Sequence, residues 1–344
     1  MKKILFLFII ILIGCNYQSK TENILYQVYN GRNYGYINHN GELVIKFMFT
    51  SAKDFSEDLA AVSIDADYNQ EGFINKKGQF VIQPIFKDAL SFNEGLAAVR
   101  KDKYWGFIDK TGKLVIDYQF ESPGSFSEGL AAVSINDNYG FIDKTGEFVI
   151  EPKYFAVSHF SEGLAMIGEP IKEGEKGLKF GYIDKSGKFV IDMLYDDAYD
   201  FKNGYAVVTL INGPFQLIDK SGNDVLKGIE HGAVKDYSEG LLPIRIDGKY
   251  GYMTLDYQII IKPQFENVRP FNNGRAFVSY DQFVWGIIDK EGKMIAEPQF
   301  VIHSPFIFKN GLARVDIKGK NISGDIYIDL NGNIVWPKNL KSKK

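Results

Sequence analysis

Residues Trp105 to Ile116, WGFIDKTGKLVI, decide the fold of this chain. An aromatic-glycine pair opens an apolar stretch, Asp109 to Gly112 has the composition of a turn, and Leu114 to Ile116 is apolar and mostly β-branched. We expect the Asp109 carboxylate to accept backbone N–H groups two residues on, and Gly112 to take the positive φ of a hairpin bulge. The stretch therefore predicts two antiparallel strands joined by a tight turn.

The same pattern recurs along nearly the whole chain. Further copies start at Tyr34, Gln70, Tyr139, Phe180, Phe215, Tyr250 and Trp285, and a degenerate copy covers Asp325 to Val335. A second module, FNEGLAAV at Phe92 to Val99, predicts another turn followed by a third strand of small residues. Hairpin glycines lie at positions 41, 78, 112, 146, 187, 222, 292 and 332, with Tyr257 in the equivalent slot. A period near 35 that tolerates insertions is typical of a tandem array.

The phase of the repeat leaves its closure open. Leu25 to Val28 aligns with the third strand of a unit, and the chain ends near Trp336 after the first two strands of another. A ring closed by pairing its two ends would show this shift, and so would an open superhelix with frayed ends. We predict an all-β tandem-repeat array of eight to nine short antiparallel three-stranded units. It curls as an open superhelix or a propeller-like ring, with a slight preference for the open form because nine blocks are many for a propeller.

The repeat resembles a known family. Its core of aromatic-Gly-aromatic-Ile-Asp-Lys-x-Gly, followed by Val-Ile-x-Pro-x-Phe and Phe-Ser-Glu-Gly-Leu-Ala, is similar to the WG repeat, also called the KWG repeat, over residues 24–336. Only Trp105 and Trp285 supply the literal Trp-Gly, whereas Gln216 and Ile326 replace the glycine. The resemblance implies a β repeat protein of the kind often found on bacterial surfaces. It implies no family-wide catalytic activity, so there is no family active site to transfer.

The first twenty residues predict the compartment. Met1 to Lys3 is basic, Ile4 to Ile13 is an apolar run, and Gly14 precedes the single cysteine, Cys15. The segment resembles a bacterial lipoprotein signal with Cys15 as the lipidated residue; the alternative is an ordinary cleaved signal. We predict a signal peptide at 1–14, a lipidated Cys and polar tether at 15–23, the repeat domain at 24–336 and a basic tail at 337–344. The resemblance implies an exported protein held on the membrane of the bacterial envelope, the outer membrane where the cell has one.

Composition and charge exclude two classes of protein. The 344 residues are 45% hydrophobic, which excludes a disordered chain. Lysine and arginine number 40 against 43 acids, for a formal charge of -3, so a general nucleic-acid binder is excluded and we expect no nucleic-acid partner.

The repeated acids and the histidines do not predict a catalytic or metal site. Two sets of acids recur at turn positions, namely Asp109, Asp143, Asp184, Asp219 and Asp289, and Glu94, Glu128, Glu162 and Glu239. We interpret both sets as turn caps, because acid and base catalysis needs two carboxylates in unlike environments and a repeated slot supplies like ones. The four histidines, His39, His159, His231 and His303, share no metal-ligand spacing. The sequence therefore predicts a protein that is not an enzyme and needs no cofactor or metal.

Residues that break the repeat are the best candidates for ligand contact. Most aromatics recur at fixed slots, so packing between units accounts for them. Candidate contact residues are Arg245, Arg275, Tyr280, Arg314 and Trp336. We predict an envelope-anchored, noncatalytic module that binds a protein or peptide or acts as a scaffold. The alternative is a glycan or cell-wall binder that uses exposed aromatics, and a remote alternative is an envelope hydrolase.

Overall fold

The computed structural model describes residues 23–64, 70–171, 177–210, 213, 215–226, 237–301, 307–319 and 324–338. These residues form strands, turns and irregular chain, and no helix occurs among them, which confirms the predicted all-β class. The predicted signal peptide, Cys15, most of the tether and the tail beyond Lys338 lie outside the described residues.

Nine units follow one another along the chain. A complete unit contains four antiparallel strands, which we name A to D in chain order: A is two residues long, B and C form a hairpin, and D is the outermost strand. The three predicted strands are B, C and D, and strand A is too short to show a pattern in the sequence. Unit 1 comprises β1 (Leu25–Tyr29), β2 (Tyr34–Asn38) and β3 (Leu43–Phe49). Unit 2 comprises β4 (Ser51–Ala52), β5 (Leu59–Ser63), β6 (Glu71–Asn75) and β7 (Phe80–Phe86).

The next three units have all four strands. Unit 3 comprises β8 (Asp88–Ala89), β9 (Leu96–Arg100), β10 (Trp105–Asp109) and β11 (Leu114–Phe120). Unit 4 comprises β12 (Ser122–Pro123), β13 (Ala131–Ile135), β14 (Asn138–Ile142) and β15 (Phe148–Tyr154). Unit 5 comprises β16 (Ala156–Val157), β17 (Leu164–Pro170), β18 (Leu178–Asp184) and β19 (Phe189–Tyr195).

The last four units are less regular. Unit 6 comprises β20 (Asp197–Ala198), β21 (Tyr205–Thr209) and β22 (Phe215–Asp219), and unit 7 comprises β23 (Leu242–Ile246), β24 (Lys249–Met253) and β25 (Ile259–Phe265). Unit 8 comprises β26 (Asn267–Val268), β27 (Ala276–Ser279), β28 (Trp285–Ile288) and β29 (Met294–Val301). Unit 9 comprises β30 (Leu312–Ile317), β31 (Ile326–Asp329) and β32 (Ile334–Trp336). Units 8 and 9 share one seven-stranded sheet because β29 pairs with β30.

The glycine of the aromatic-glycine pair admits a bulge between strands C and D. In unit 3, Phe107 pairs with Ile116 and Trp105 with Phe120, so the D strand has two extra residues over this stretch. A Cβ built on Gly106 would lie 2.6 Å from the Ile116 carbonyl oxygen, closer than any real side chain approaches. The bulge of the outer strand therefore passes directly over a position that only glycine can occupy.

Two units lack this glycine, and their outer strands show whether the bulge depends on it. Gln216 and Ile326 occupy the glycine slot in units 6 and 9. In unit 6 the D side is reduced to a bridge between Ile218 and Asp224, and in unit 9 strand D ends at Trp336, opposite Tyr327. Strand D of unit 9 therefore ends where the bulge would begin, whereas the residues that would form the bulge in unit 6 lie outside the described residues.

Each hydrophobic core lies between two consecutive units. The cluster between units 2 and 3 joins Phe73 and Phe86 of unit 2 to Phe92 and Val99 of unit 3, all buried. The ring centroids of Phe73 and Phe92 are 4.8 Å apart. Equivalent ring pairs between neighbouring units are Tyr36–Phe55, Phe107–Phe126, Phe141–Phe160, Tyr182–Phe201 and Tyr252–Phe271. The abundant aromatics thus hold each unit to the next.

The two sets of repeated acids have different roles. Asp109 caps its own hairpin, as predicted: one carboxylate oxygen accepts the backbone N–H groups of Thr111 at 2.9 Å and Lys113 at 3.1 Å. The prediction that the glutamates also cap their own turns is wrong. Glu94 has a φ of 51° and points to the following unit, where it accepts the Gly129 N–H at 3.0 Å and pairs with Lys144 at 3.1 Å. Equivalent contacts are made by Glu57, Glu128, Glu162 and Glu239.

The first and last units contact each other. Unit 1 has no A strand among the described residues, and Asp325 of unit 9 takes its place on the edge of β1. The Asp325 N–H donates to the Tyr29 carbonyl at 2.9 Å, and the Asp325 carboxylate accepts the Tyr29 N–H at 2.9 Å. Tyr26, Val28, Leu312 and Tyr327 form a buried cluster across this junction. The array therefore curls until its ends meet, although no described strand of unit 1 pairs with unit 9 and the sheets are not closed.

Candidate functional site

The antiparallel order of the strands gives the array two different edges. The A–B and C–D turns lie at one edge, the turn edge, and have nearly the same sequence in every unit. The B–C hairpins and the D–A connections lie at the other edge, the loop edge. B–C connections there range from two residues at 136–137 to eight at 318–325. Binding residues occur disproportionately on variable loops that a rigid scaffold positions, so we expect a binding site at the loop edge.

The structure distributes the five candidate contact residues over three places. Arg245 and Tyr280 lie on the loop edge of units 7 and 8. Arg314 faces the junction of the ends, where its guanidinium lies 3.4 Å from the Asp325 carboxylate. Arg275 lies at the turn edge and donates from Nε to the Leu330 carbonyl at 2.9 Å, which joins unit 8 to unit 9. Trp336 packs 6.0 Å from Phe47 of unit 1, across the same junction as Arg314.

The loops that carry Arg245 and Tyr280 are neighbours: the Glu266 carboxylate interacts electrostatically with Arg245 and accepts a hydrogen bond from Gln282 of unit 8. The Arg245 guanidinium lies 5.3 Å from the ring centroid of Tyr250, and Tyr250 pairs with Phe265 on the adjacent strand. The Phe265 ring is in turn 5.2 Å from Tyr280 of unit 8. Phe265 is buried, so aromatic packing beneath the surface supports the exposed side chains of the two loops.

Among the described residues, Phe283 is the most exposed of the large hydrophobic side chains. Phe283 is 75% exposed, Tyr280 is 49% exposed and Ile246 is 44% exposed. We name the surface formed by Arg245, Ile246, Tyr280 and Phe283 the loop patch. Sequence reasoning missed Phe283 because aromatics elsewhere in the chain mostly fill core slots. The sequence does contain one indication of its role: Phe283 lies in the connection between strands B and C, and this connection is made of polar residues in most other units.

The loop that carries Phe283 is held in place by hydrogen bonds. One Asp281 carboxylate oxygen accepts the backbone N–H groups of Phe283 at 2.9 Å and Val284 at 2.8 Å. The N–H groups of Val284 and Phe283 lower the pKa of the Asp281 carboxyl, so the acceptor is ionised at neutral pH. The loop is therefore ordered before any partner arrives, which reduces the entropy lost on binding.

Charged groups surround the loop patch. Lys249 and Glu266 form an ion pair beside it, and the hydrogen bond from Lys249 lowers the pKa of the Glu266 carboxyl. Arg245 donates from Nε to the Gly248 carbonyl at 3.2 Å, which fixes its guanidinium over Tyr250. An apolar centre with a charged rim is the arrangement found at protein-binding surfaces.

Sequence comparison identifies the repeat. The model of the WG containing repeat matches seven segments: 34–68, 72–105, 105–139, 139–168, 180–213, 250–282 and 285–320. The chain belongs to the WG repeat family. No curated protein matches the sequence. The two C strands that lack the glycine, Phe215–Asp219 and Ile326–Asp329, lie outside the matched segments.

Structural comparison supports the same fold. A crystal structure of the eukaryotic initiation factor is similar over 91% of this chain and 95% of that one, with a TM-score of 0.60 and 11% identity. BamB from Moraxella catarrhalis is similar over 86% and 97% of the two chains, with a TM-score of 0.40 and 12% identity. The WD40 β-propeller domain of Doa1 is similar over 69% and 94%, with a TM-score of 0.31 and 13% identity. The TM-score of 0.60 shows that this chain shares its fold with the initiation factor structure, and the successive four-stranded antiparallel sheets whose ends contact each other are propeller-like.

Metal ligands are not clustered in the part of the chain that the structure describes. No group of three or more His, Cys, Asp or Glu side chains comes together there. His39 lies 3.2 Å from the Tyr26 hydroxyl and His159 lies 3.5 Å from the Asp200 carboxylate, whereas His231 and His303 lie outside the described residues. None of the described residues forms a helix that could span a membrane.

One buried acid in WG repeat 2 occupies a slot that is aromatic in seven of the nine repeats. Glu71 occupies the slot that Trp105 fills in repeat 3, and its carboxylate accepts the Ala89 N–H at 2.8 Å and lies 3.4 Å from Lys53. Burial raises the pKa of the Glu71 carboxyl, and the Lys53 ammonium opposes this effect. The folded protein therefore binds the proton of the Glu71 carboxyl more tightly than the unfolded chain does. The free energy of unfolding falls as pH rises from the pKa of this carboxyl in the unfolded chain to its higher pKa in the folded protein.

Glu71→Gln is expected to remove this pH dependence, because glutamine can still accept the Ala89 N–H and does not ionise. The melting temperature of E71Q relative to the original protein should rise between about pH 4 and pH 7. Thermal unfolding followed by circular dichroism measures it. Glu151→Gln, on an exposed position of β15, is the matched control and should give a difference that does not vary with pH. A constant difference for E71Q as well would contradict the prediction.

Proposed function

We propose that this WG repeat protein is a noncatalytic binding or scaffold protein, lipid-anchored at the bacterial envelope. Its loop patch holds a protein or peptide partner. The repeat array and the propeller-like fold support a binding role, since such a scaffold displays variable loops on a rigid frame. The anchoring rests on the sequence of the first fifteen residues.

The exposure of Phe283 is the main observation in favour of a binding site at the loop patch. Three neighbouring apolar side chains are about half exposed or more, and the loop of Phe283 is fixed by Asp281. Apolar anchors on a pre-ordered surface with a charged rim are typical of the residues that dominate binding energies at interfaces. Arg245 beside them favours a partner segment that presents an apolar side chain next to a carboxylate.

The double variant Y280A and F283A is expected to lose at least about tenfold in partner affinity, since interface aromatics contribute about 1–2 kcal/mol or more each. Mature protein without the lipid serves as bait for envelope extract, and mass spectrometry identifies proteins that the original bait retains. The affinity of the identified partner is then measured for each variant. Both side chains are exposed, so folding should be unaffected.

Tyr257→Gly is the matched control for that experiment. Tyr257 is an exposed aromatic, 48% exposed, at the turn edge of WG repeat 7, away from the loop patch. Its φ is 66°, and glycine fills this hairpin slot in the other repeats, so the variant should fold well. Equal partner binding by the double variant and the control would overturn the proposed site.

Cys15→Ala tests the anchoring independently of the partner. Without the thiol no lipid can be attached, so C15A should move from the membrane fraction to the soluble fraction of lysed cells. Fractionation followed by immunoblotting detects the change, and metabolic labelling with a palmitate analogue should label the original protein only. C15A that stays in the membrane fraction would contradict the lipid anchor.

A further inference from the structure

We propose that a cavity between WG repeats 4 and 5 binds a neutral polyhydroxylated ligand, a sugar ring. The cavity has a volume of about 590 Å³ and lies against the A strands of the two repeats. That volume is within the roughly 300–1,000 Å³ of small-molecule sites. The cavity is separate from the loop patch, and the proposal does not depend on the protein-binding function.

A missing side chain opens this cavity. The residue after strand A makes the same backbone hydrogen bond in repeats 2, 3, 4 and 8, where it is Lys53, Leu90, Gly124 and Arg269 respectively. Arg269 extends over the first residue of its C strand, with its guanidinium 4.7 Å from the ring centroid of Trp285. Lys53 likewise reaches the first residue of its C strand, Glu71.

Repeat 4 departs from this arrangement. Gly124 has no side chain to lay over Tyr139, the first aromatic of its C strand, and both residues line the cavity. Ser158, in the same slot of repeat 5, is also small and lines the cavity from the other side. Repeat 4 thus leaves the Tyr139 ring without the cover that Arg269 gives Trp285 in repeat 8, and the small Ser158 side chain of repeat 5 leaves the space beside it open.

The lining is polar but almost without charge. Serine hydroxyls at 122, 125, 127 and 158, the Asn93 amide and the His159 ring surround the space beside Tyr139. Lysine, arginine, aspartate and glutamate are absent from the described residues that line it. A phosphate or carboxylate would find no cation there, whereas a sugar would find hydroxyl partners and an aromatic face for its C–H groups.

Some of these hydroxyls are used within the fold and others remain for a ligand. Ser127 donates to the Phe160 carbonyl at 2.7 Å, and Ser158 donates to the His159 carbonyl at 3.1 Å. Within the described part of the chain, the hydroxyls of Ser122 and Ser125 make no hydrogen bond to another protein group. The hydroxyls of Ser122 and Ser125 can therefore donate to and accept from the hydroxyl groups of a ligand in the cavity.

Gly124→Leu tests the proposal, because it fills the cavity with the side chain that repeat 3 has in this slot. A Cβ on Gly124 would meet its nearest atom, the Ala132 carbonyl oxygen, at 3.5 Å, so the backbone can accept the change. The probes are glucose, N-acetylglucosamine, and the β1,4-linked disaccharide and tetrasaccharide of each. Saturation-transfer NMR on the mature chain detects binding, and calorimetry measures the affinity.

We expect at least one of these sugars to bind the original protein, and G124L to bind it at least tenfold more weakly at an unchanged melting temperature. Arg269→Leu, at the same slot of repeat 8, should bind like the original protein. Preference for the tetrasaccharide would indicate a glycan chain as the source, and equal binding of the monosaccharide would indicate a free sugar or chain end. No binding of any probe at millimolar concentration, or equal binding by G124L, would overturn the proposal.

Discussion

Gly106→Ala is expected to lower the free energy of unfolding by about 3 kcal/mol, at the upper end of the usual cost of overpacking. The added Cβ would lie 2.6 Å from the Ile116 carbonyl oxygen, and no side-chain rotation can relieve this contact because the backbone fixes the position of both atoms. Relief requires the outer strand β11 to move off β10. That movement would break the bulged pairing of Trp105 with Phe120.

The damage should be local to the outer strand. Hydrogen exchange of the β11 amides should accelerate in G106A, while the amides of β9 keep their protection. Gly124→Ala is the matched control, since its Cβ has room and its φ is not positive; it should be neutral or slightly stabilising in chemical denaturation. Equal stabilities of G106A and G124A would show that the glycine of the WG pair is not required by the bulge.

The repeated part of this fold could be predicted from sequence because each cause is local. The hairpin at Asp109 to Gly112 is fixed by turn chemistry within four residues, and the strand pattern is copied in every unit. Strand A of two residues has no such pattern. The glutamates show the limit of local reasoning: Glu94 sits in a turn, yet its partners, Gly129 and Lys144, lie in the next repeat.

The candidate site was predictable only in part. Arg245 and Tyr280 could be found because they break the repeat. Phe283 was missed although it lies in a hairpin that is polar in most other units, because most aromatics of this chain fill core slots and the hydrogen bonds from its loop to Asp281 are not visible in the sequence. Gly124 indicates the cavity beside Tyr139 because it lacks the long side chain that other repeats have in this slot. The slot can be recognised only from the backbone hydrogen bonds that align the A strands.

The meeting of the ends could not be inferred from the repeat at all. The phase shift fits an open superhelix and a ring equally, and the slight preference for the open form rested on the number of units. The deciding contacts join residues 296 positions apart, Tyr29 and Asp325. Most other repeats have an aromatic residue in the slot of Asp325, so the sequence shows that Asp325 breaks the repeat. The sequence does not show that Tyr29 is its partner.

Asp325→Ala should destabilise this junction by about 2 kcal/mol, because the Tyr29 N–H loses its carboxylate partner and the ion pair with Arg314 is lost. The Asp325 side chain is only 14% exposed, whereas Arg314 is 46% exposed and can be solvated, so the cost stays below that of a fully buried pair. Urea unfolding measures the loss, and hydrogen exchange at the Tyr29 amide locates it.

Asp102→Ala is the control for the junction, since its carboxylate is 83% exposed and its pairing with Lys87 should contribute less than about 0.5 kcal/mol. Asp325→Asn adds a second test. Burial raises the pKa of the Asp325 carboxyl despite Arg314, so the original protein should lose stability relative to D325N as pH rises above about 4. If the ends were apart in solution, Asp325 would be solvated, D325A would match D102A, and D325N would show no dependence on pH.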